Sequence, residues 1–157
     1  MTQTELLLVN FEEVRRRSIM LWSALPEDKY FWKPDDNAEN AMQVIRHVLG
    51  SDEWFRYIIV NSGDVSKYDH SAWDDTRPYK SLQDELDFSK PYRENYLKLV
   101  KSYSPEDLTN IKVTYGKREL RTLGDFLMRA AYHEAVHAGN FIAYLRAMGA
   151  DRPMIWD

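Results

Sequence analysis

Residues 122–149 read TLGDFLMRAAYHEAVHAGNFIAYLRAMG. Thr122 with Asp125 three residues on has the form of a helix N-cap, and Gly149 stands where a left-handed C-cap glycine belongs. The spacing therefore predicts one long helix running to about Met148. Inside it lies HEAVH, residues 133–137, which matches the H-E-x-x-H pattern in which two histidines one turn apart hold a metal and the glutamate activates its water.

Three further helical blocks precede this one. Leu7, Phe11, Val14, Ser18, Leu21 or Trp22, and Leu25 recur at three and four residues, which predicts an amphipathic helix over 4–25, ended by Pro26. A second is expected from about Asn40 to Ser62, with Val44, Val48, Ser51, Phe55, Ile58 and Ile59 on its stripe and Gly63 closing it. Ser81 with Asp84 opens a third, carrying Leu82, Leu86, Tyr92, Tyr96, Leu99 and Tyr103. Pro91 is expected to kink or split that block, because proline lacks an amide donor and clashes with the preceding turn. Residues 111–120, IKVTYGKREL, alternate weakly around a glycine turn and suggest a small hairpin. Four helices with one apolar stripe each point to an all-α four-helix bundle filling residues 1–157 as a single domain. The polar run over 63–80 exceeds a tight turn and leaves room for a long crossover between the second and third helices.

Composition narrows the function. The 157 residues carry 44% hydrophobic and 29% charged side chains and a net charge of −4, ordinary globular usage. The basic cluster is limited to Arg15, Arg16 and Arg17 on one helix, which gives nucleic-acid binding little electrostatic support. The chain has no cysteine, which removes disulfides, a cysteine nucleophile and cysteine-ligated zinc. The opening MTQTELLLVN lacks a basic segment followed by a long apolar one, and no apolar run approaches the ~20 residues of a membrane span. A soluble cytoplasmic protein without membrane or nucleic-acid partners is expected.

His133 and His137 lie about 40° apart on the last helix, on a face shared with Phe126, Asn140 and Tyr144. That face is expected to turn inward, so the pair either shares a metal or forms two separately hydrogen-bonded core histidines. A peptidase is excluded by its missing third ligand. The extended H-E-x-x-H-x-x-G-x-x-H pattern would need glycine and histidine where Asn140 and Ala143 stand, and the acids after His137 are Asp151 and Asp157 alone. The third ligand must come from upstream. His47 lies beside the apolar stripe of the second helix; His70 lies in the polar run DVSKYDHSAW and reads as a solvated loop residue.

One histidine from the second helix within VIRHVLGSDEWF and two at i, i+4 within TLGDFLMRAAYHEAVHAGNFIAYLRAMGADRP resemble the DinB family of bacterial four-helix bundles. Asn140 departs from the more usual glutamine, and the family does not require Glu134. The resemblance implies a bundle with a crossover, a homodimer, and a divalent metal on His47, His133 and His137. It also implies relatives that are thiol-dependent transferases or isomerases. Zinc suits three imidazoles with an open position, and nickel, iron or manganese accept the same set. Glu134 is a candidate base at the flank of the ligand face, with a solvated or ion-paired carboxylate as the other reading. Arg129, one turn before His133, is a candidate for a substrate carboxylate, and Asn140 and Tyr144 are candidate supporting donors. Two classes of function follow: a metal-dependent transferase or hydrolase acting on a small molecule, with a low-molecular-weight thiol as possible co-substrate, or a noncatalytic, metal-stabilised, stress-associated interaction module.

Overall fold

A computed structural model describes residues 1–115 and 120–156. Helix α1 spans Gln3–Ser23, α2 Ala41–Val60, α3 Leu82–Lys101, α4 Pro105–Asn110 and α5 Leu123–Met148. Each long helix starts where a side chain can take up an orphan amide. Thr2 and Glu5 close a reciprocal capping box on α1, Asn40 and Gln43 do the same on α2, and Ser81 and Thr122 accept from the amides of Asp84 and Asp125. At the far end of α5, Gly149 adopts φ 72°, a conformation that a β-carbon disfavours.

Two expectations are corrected. The third helix is not split: it runs through Pro91 as one element, because the proline costs one hydrogen bond while the flanking stripe stays buried through Glu85, Ser89, Tyr96 and Val100. A fifth helix, α4, was not anticipated. Ser104 and Asp107 form its capping box around Pro105 at the first helical position, but six residues are too few to show a period. A short antiparallel pairing forms, β1 (Lys112–Val113) with β2 (Arg121–Thr122) and Lys112 opposite Thr122, its second strand just past the expected range. The glycine turn expected within it lies outside the described residues.

The core falls into two clusters, and their membership fixes the direction of each long helix. One gathers Leu7, Phe11 and Val14 from the start of α1, Ile58 from the end of α2, Tyr96 and Val100 from the end of α3, and Leu123 to Ala131 from the start of α5. The other gathers Leu21 and Trp22, Ala41 to Leu49, Leu82 and Leu86, and Phe141 and Leu145, the opposite ends of the same helices. So α1 and α5 run one way and α2 and α3 the other. Neighbouring parallel helices about 30 Å long cannot be joined by a tight turn, and residues 61–81 make the return as the expected crossover. That segment is built from three Asp-x-Ser/Thr turns: Asp64, Asp69 and Asp74 each accept from the backbone amide two residues on, at 2.9, 2.8 and 2.8 Å.

Between the two clusters lies a polar layer. Arg15 of α1 donates to Glu134 of α5 at 2.8 and 3.2 Å and to Asp52 of α2 at 3.1 Å. Arg93 of α3 donates to the other oxygen of Asp52 at 2.9 Å and to the carbonyl of Phe11 at 2.7 Å. Two cations and two anions from four helices thus neutralise one another in the interior.

Candidate metal centre

His47 on α2 faces His133 and His137 on α5 across the groove between those helices. The Nε2 atoms of His47 and His133 stand 2.9 Å apart, and one ligand atom from each of the three histidines can be chosen so that all lie within 4.8 Å of one another. The rings crowd together, with centroids 4.9, 4.7 and 4.6 Å apart. The expectation of inward-facing histidines needs correction in one respect. The bundle centre belongs to the Arg15 layer, while His47 is exposed and His133 and His137 are half-buried, so the group lines a groove rather than the axis.

Two of the three imidazoles, His133 and His137, resist protonation in this arrangement. Burial, reinforced by His137 and then His47, lowers the pKa of His133 to about 4. His137 is lowered by burial and by His47, against an opposing pull from Glu39 and Glu134. Both rings are therefore neutral near pH 7 and keep a lone pair for a metal. The Nδ1 atoms of both rings are buried without a hydrogen-bond partner among the described residues; in His133, whose Nε2 is turned toward His47, Nδ1 lies on the other side of the ring and leaves Nε2 as the ligand atom. A tetrahedral ion with nitrogen ligands at about 2.0 Å needs those atoms about 3.3 Å apart. That spacing falls between the 2.9 Å contact and the 4.8 Å bound. The donor set fits a divalent metal.

His47 and His133 open onto a trough of about 760 Å³, within the range of small-molecule sites. Its walls are aromatic: Trp54 and Phe55 of α2, Phe126 and Tyr132 of α5, and Tyr68 and Trp73 of the crossover. Trp54 anchors the far side, with Tyr68 at 4.7 Å, His70 at 5.3 Å and Tyr115 at 5.4 Å between ring centroids. Burial and then the charge of Glu53 push Tyr68 up to about 12, so its phenol stays protonated. Gly50 lets the crossover lie this close, since a β-carbon there would stand 2.8 Å from the Trp73 ring.

The remaining candidates separate clearly. Arg129 lines the trough and makes a loose ion pair with Asp125 at 3.7 Å. Asn140 is exposed on α5 away from the trough lining. Tyr144 also lies off the lining and donates to the carbonyl of Glu39 at 2.8 Å. Glu134 points into the interior, only 3% exposed, with both oxygens on Arg15. Sequence reasoning singled out neither Arg15 nor Asp52 for the site, yet a signal existed: Arg15, Asp52 and Glu134 follow Phe11, Val48 and Ala130 by one turn and so share the apolar stripes. It also read His70 as merely solvated. His70 is exposed but forms part of the trough wall, a placement made by tertiary packing alone.

Known proteins share this architecture. The Bacillus subtilis (strain 168) protein YjoA is 25% identical over 155 residues, which cover 95% of this chain and 93% of YjoA. The crystal structure of that DinB-like protein superposes with a TM-score of 0.68 at 21% identity, over 95% of this chain and 96% of its own. Bacillus subtilis YfiT, described as a probable metal-dependent hydrolase with an unusual four-helix bundle topology, gives 0.72 at 15% identity over 94% and 89% of the two chains. A DinB-like protein from Bacillus cereus ATCC 10987 gives 0.58 at 18% identity over 92% and 91%. The model of the DinB superfamily matches residues 10–140, and on that match the chain belongs to the DinB superfamily.

Proposed function

We propose that this chain is a metal-dependent enzyme acting on a small organic molecule, with His47, His133 and His137 as ligands and the aromatic trough as the substrate site. The observation that carries the reading is the junction of the two: a group of three imidazoles opens onto a substrate-sized, largely apolar space. A divalent ion, zinc in the first instance, would supply Lewis acidity there to activate water or a small thiol. Arg129 is placed to hold an anionic group of the substrate beside the histidines, and the Trp54 and Tyr68 rings to cover an apolar or aromatic body while excluding water. YfiT's description as a probable metal-dependent hydrolase supports hydrolysis; the family resemblance supports thiol transfer as its counterpart.

A peptidase reading does not suit the site. The glutamate of H-E-x-x-H would have to serve as base, and here its carboxylate is held by Arg15 inside the bundle.

Metal affinity and turnover test the proposal together. His47→Ala and His137→Ala should lose affinity by more than the roughly 10–100-fold that loss of a supporting residue costs, whereas His70→Ala should retain the metal. The zinc-loaded protein is offered activated esters, small electrophiles with low-molecular-weight thiols, and unstructured peptides. Turnover of either small-molecule class, absent in His133→Ala and slowed in Arg129→Ala, is expected. Peptide cleavage, or unchanged zinc affinity in His137→Ala, would overturn the reading.

A further inference from the structure

The two helices that carry the ligands each place an acid one to five residues beyond a histidine and turn it the opposite way. On α2, Asp52 follows His47; on α5, Glu134 follows His133. At about 100° per residue, each carboxylate sits 100–140° around its helix from the ligand, so the histidines meet in the groove while the acids meet in the core. Both acids close on one guanidinium. Arg15, 7% exposed, donates through Nε and Nη2 to Glu134 and through Nη2 to Asp52, each acid being 3% exposed. Trp22 lies beside this guanidinium, 5.8 Å from its carbon to the ring centroid, and Arg93 fixes the far oxygen of Asp52.

We propose that Arg15, acting through Asp52 and Glu134, is a positioning residue that sets the separation and rotation of α2 and α5 and so the bite of the three-histidine group. The inference rests on the reading that those histidines bind a metal. A planar fork with fixed donor directions can hold two carboxylates at one spacing, which a single ammonium cannot do. Rotation of α5 about its axis would break the Glu134 bonds before it could swing His133 and His137 away from His47. Glu134 of the HEAVH segment accordingly acts from behind its neighbour, as a tether rather than as a proton acceptor.

Replacing a buried ion pair by apolar side chains of similar size often leaves stability intact, which allows the two roles to be separated. Zinc affinity is measured for wild type, Arg15→Lys, and the charge-balanced double variant Arg15→Met with Glu134→Met, which leaves the Asp52 and Arg93 pair in place. Cobalt(II) is bound in parallel and its visible absorption recorded. Val100→Ala, a truncation of a fully buried residue of α3, serves as a destabilised control. The expected result is affinity weakened roughly 10–100-fold in both Arg15 variants, with an altered cobalt spectrum, while Val100→Ala melts lower and binds as wild type does. Affinity and spectrum unchanged in Arg15→Lys or in a folded double variant would overturn the proposal, and so would an equal loss of affinity in Val100→Ala. Wild-type protein that takes up neither metal would instead overturn the metal reading beneath it.

Discussion

A histidine that is to bind a metal must keep a lone pair, and His133 keeps one by resisting protonation. Its surroundings hold its pKa at about 4 against the usual 6.5, chiefly through burial and then through two neighbouring imidazoles. The sign of the consequence follows from linkage. An unfolded chain takes up this proton as pH falls through 6.5 and the native chain does not, so the associated stability is present above 6.5 and is lost as pH falls toward 4. For a half-buried ring the effect is on the order of 1 kcal/mol after allowance for solvent screening. Urea unfolding of metal-free protein should show its midpoint falling across that window, and His133→Gln should fall less steeply. Identical slopes in the two chains would mean that His133 is protonated as easily in the fold as outside it.

At the scale of elements, the crossover decides what the groove can hold, and it touches α2 through Gly50. A mid-helix glycine normally costs about 1 kcal/mol relative to alanine, yet an alanine here would meet the Trp73 ring at 2.8 Å. Overpacking of this kind costs about 1–3 kcal/mol. Gly50→Ala should therefore lower the melting temperature despite the better helix former and shift tryptophan emission to the red as Trp73 leaves its seat. A higher melting temperature with unchanged emission would show that the indole has room to spare. The same contrast separates what could be read in the chain from what could not. Helix α5 announces itself because its caps, Thr122 with Asp125 and Gly149, are local, and the ligand pair is local too, spaced one turn apart on that helix. His47 was legible from its place beside a stripe and from the family resemblance together. Glu134 was ambiguous because its partner, Arg15, is 119 residues away in sequence. Tyr68 and His70 were invisible as trough residues because a polar loop reveals nothing of the wall it will be folded against. Pro91 does not split α3 for a related reason: local propensity gave way to the packing of the stripe on either side.

For the whole molecule, the question is whether a metal organises this bundle or merely occupies it. Both apolar clusters draw on all four long helices, and neither contains His47, His133 or His137. The layer between them is closed by its own charges, two arginines against an aspartate and a glutamate. Among the described residues, the buried side-chain atoms without a hydrogen-bond partner include the Nδ1 atoms of His133 and His137 and the hydroxyls of Ser18 and Tyr96, and none belongs to the Arg15 layer. Chelation should accordingly leave the far-ultraviolet circular dichroism of the folded protein unchanged. What the metal adds is mass action on the native state, about 2.7 kcal/mol at a free concentration one hundred times its dissociation constant. For a domain of this size that corresponds to roughly 5–10 °C in melting temperature. The expected pair of results is an intact helical signal in the apo protein and a melting temperature that climbs with added zinc. The climb should be abolished in His137→Ala. An apo protein stripped of helix would show instead that the three-histidine group, and not the two clusters, holds α2 against α5.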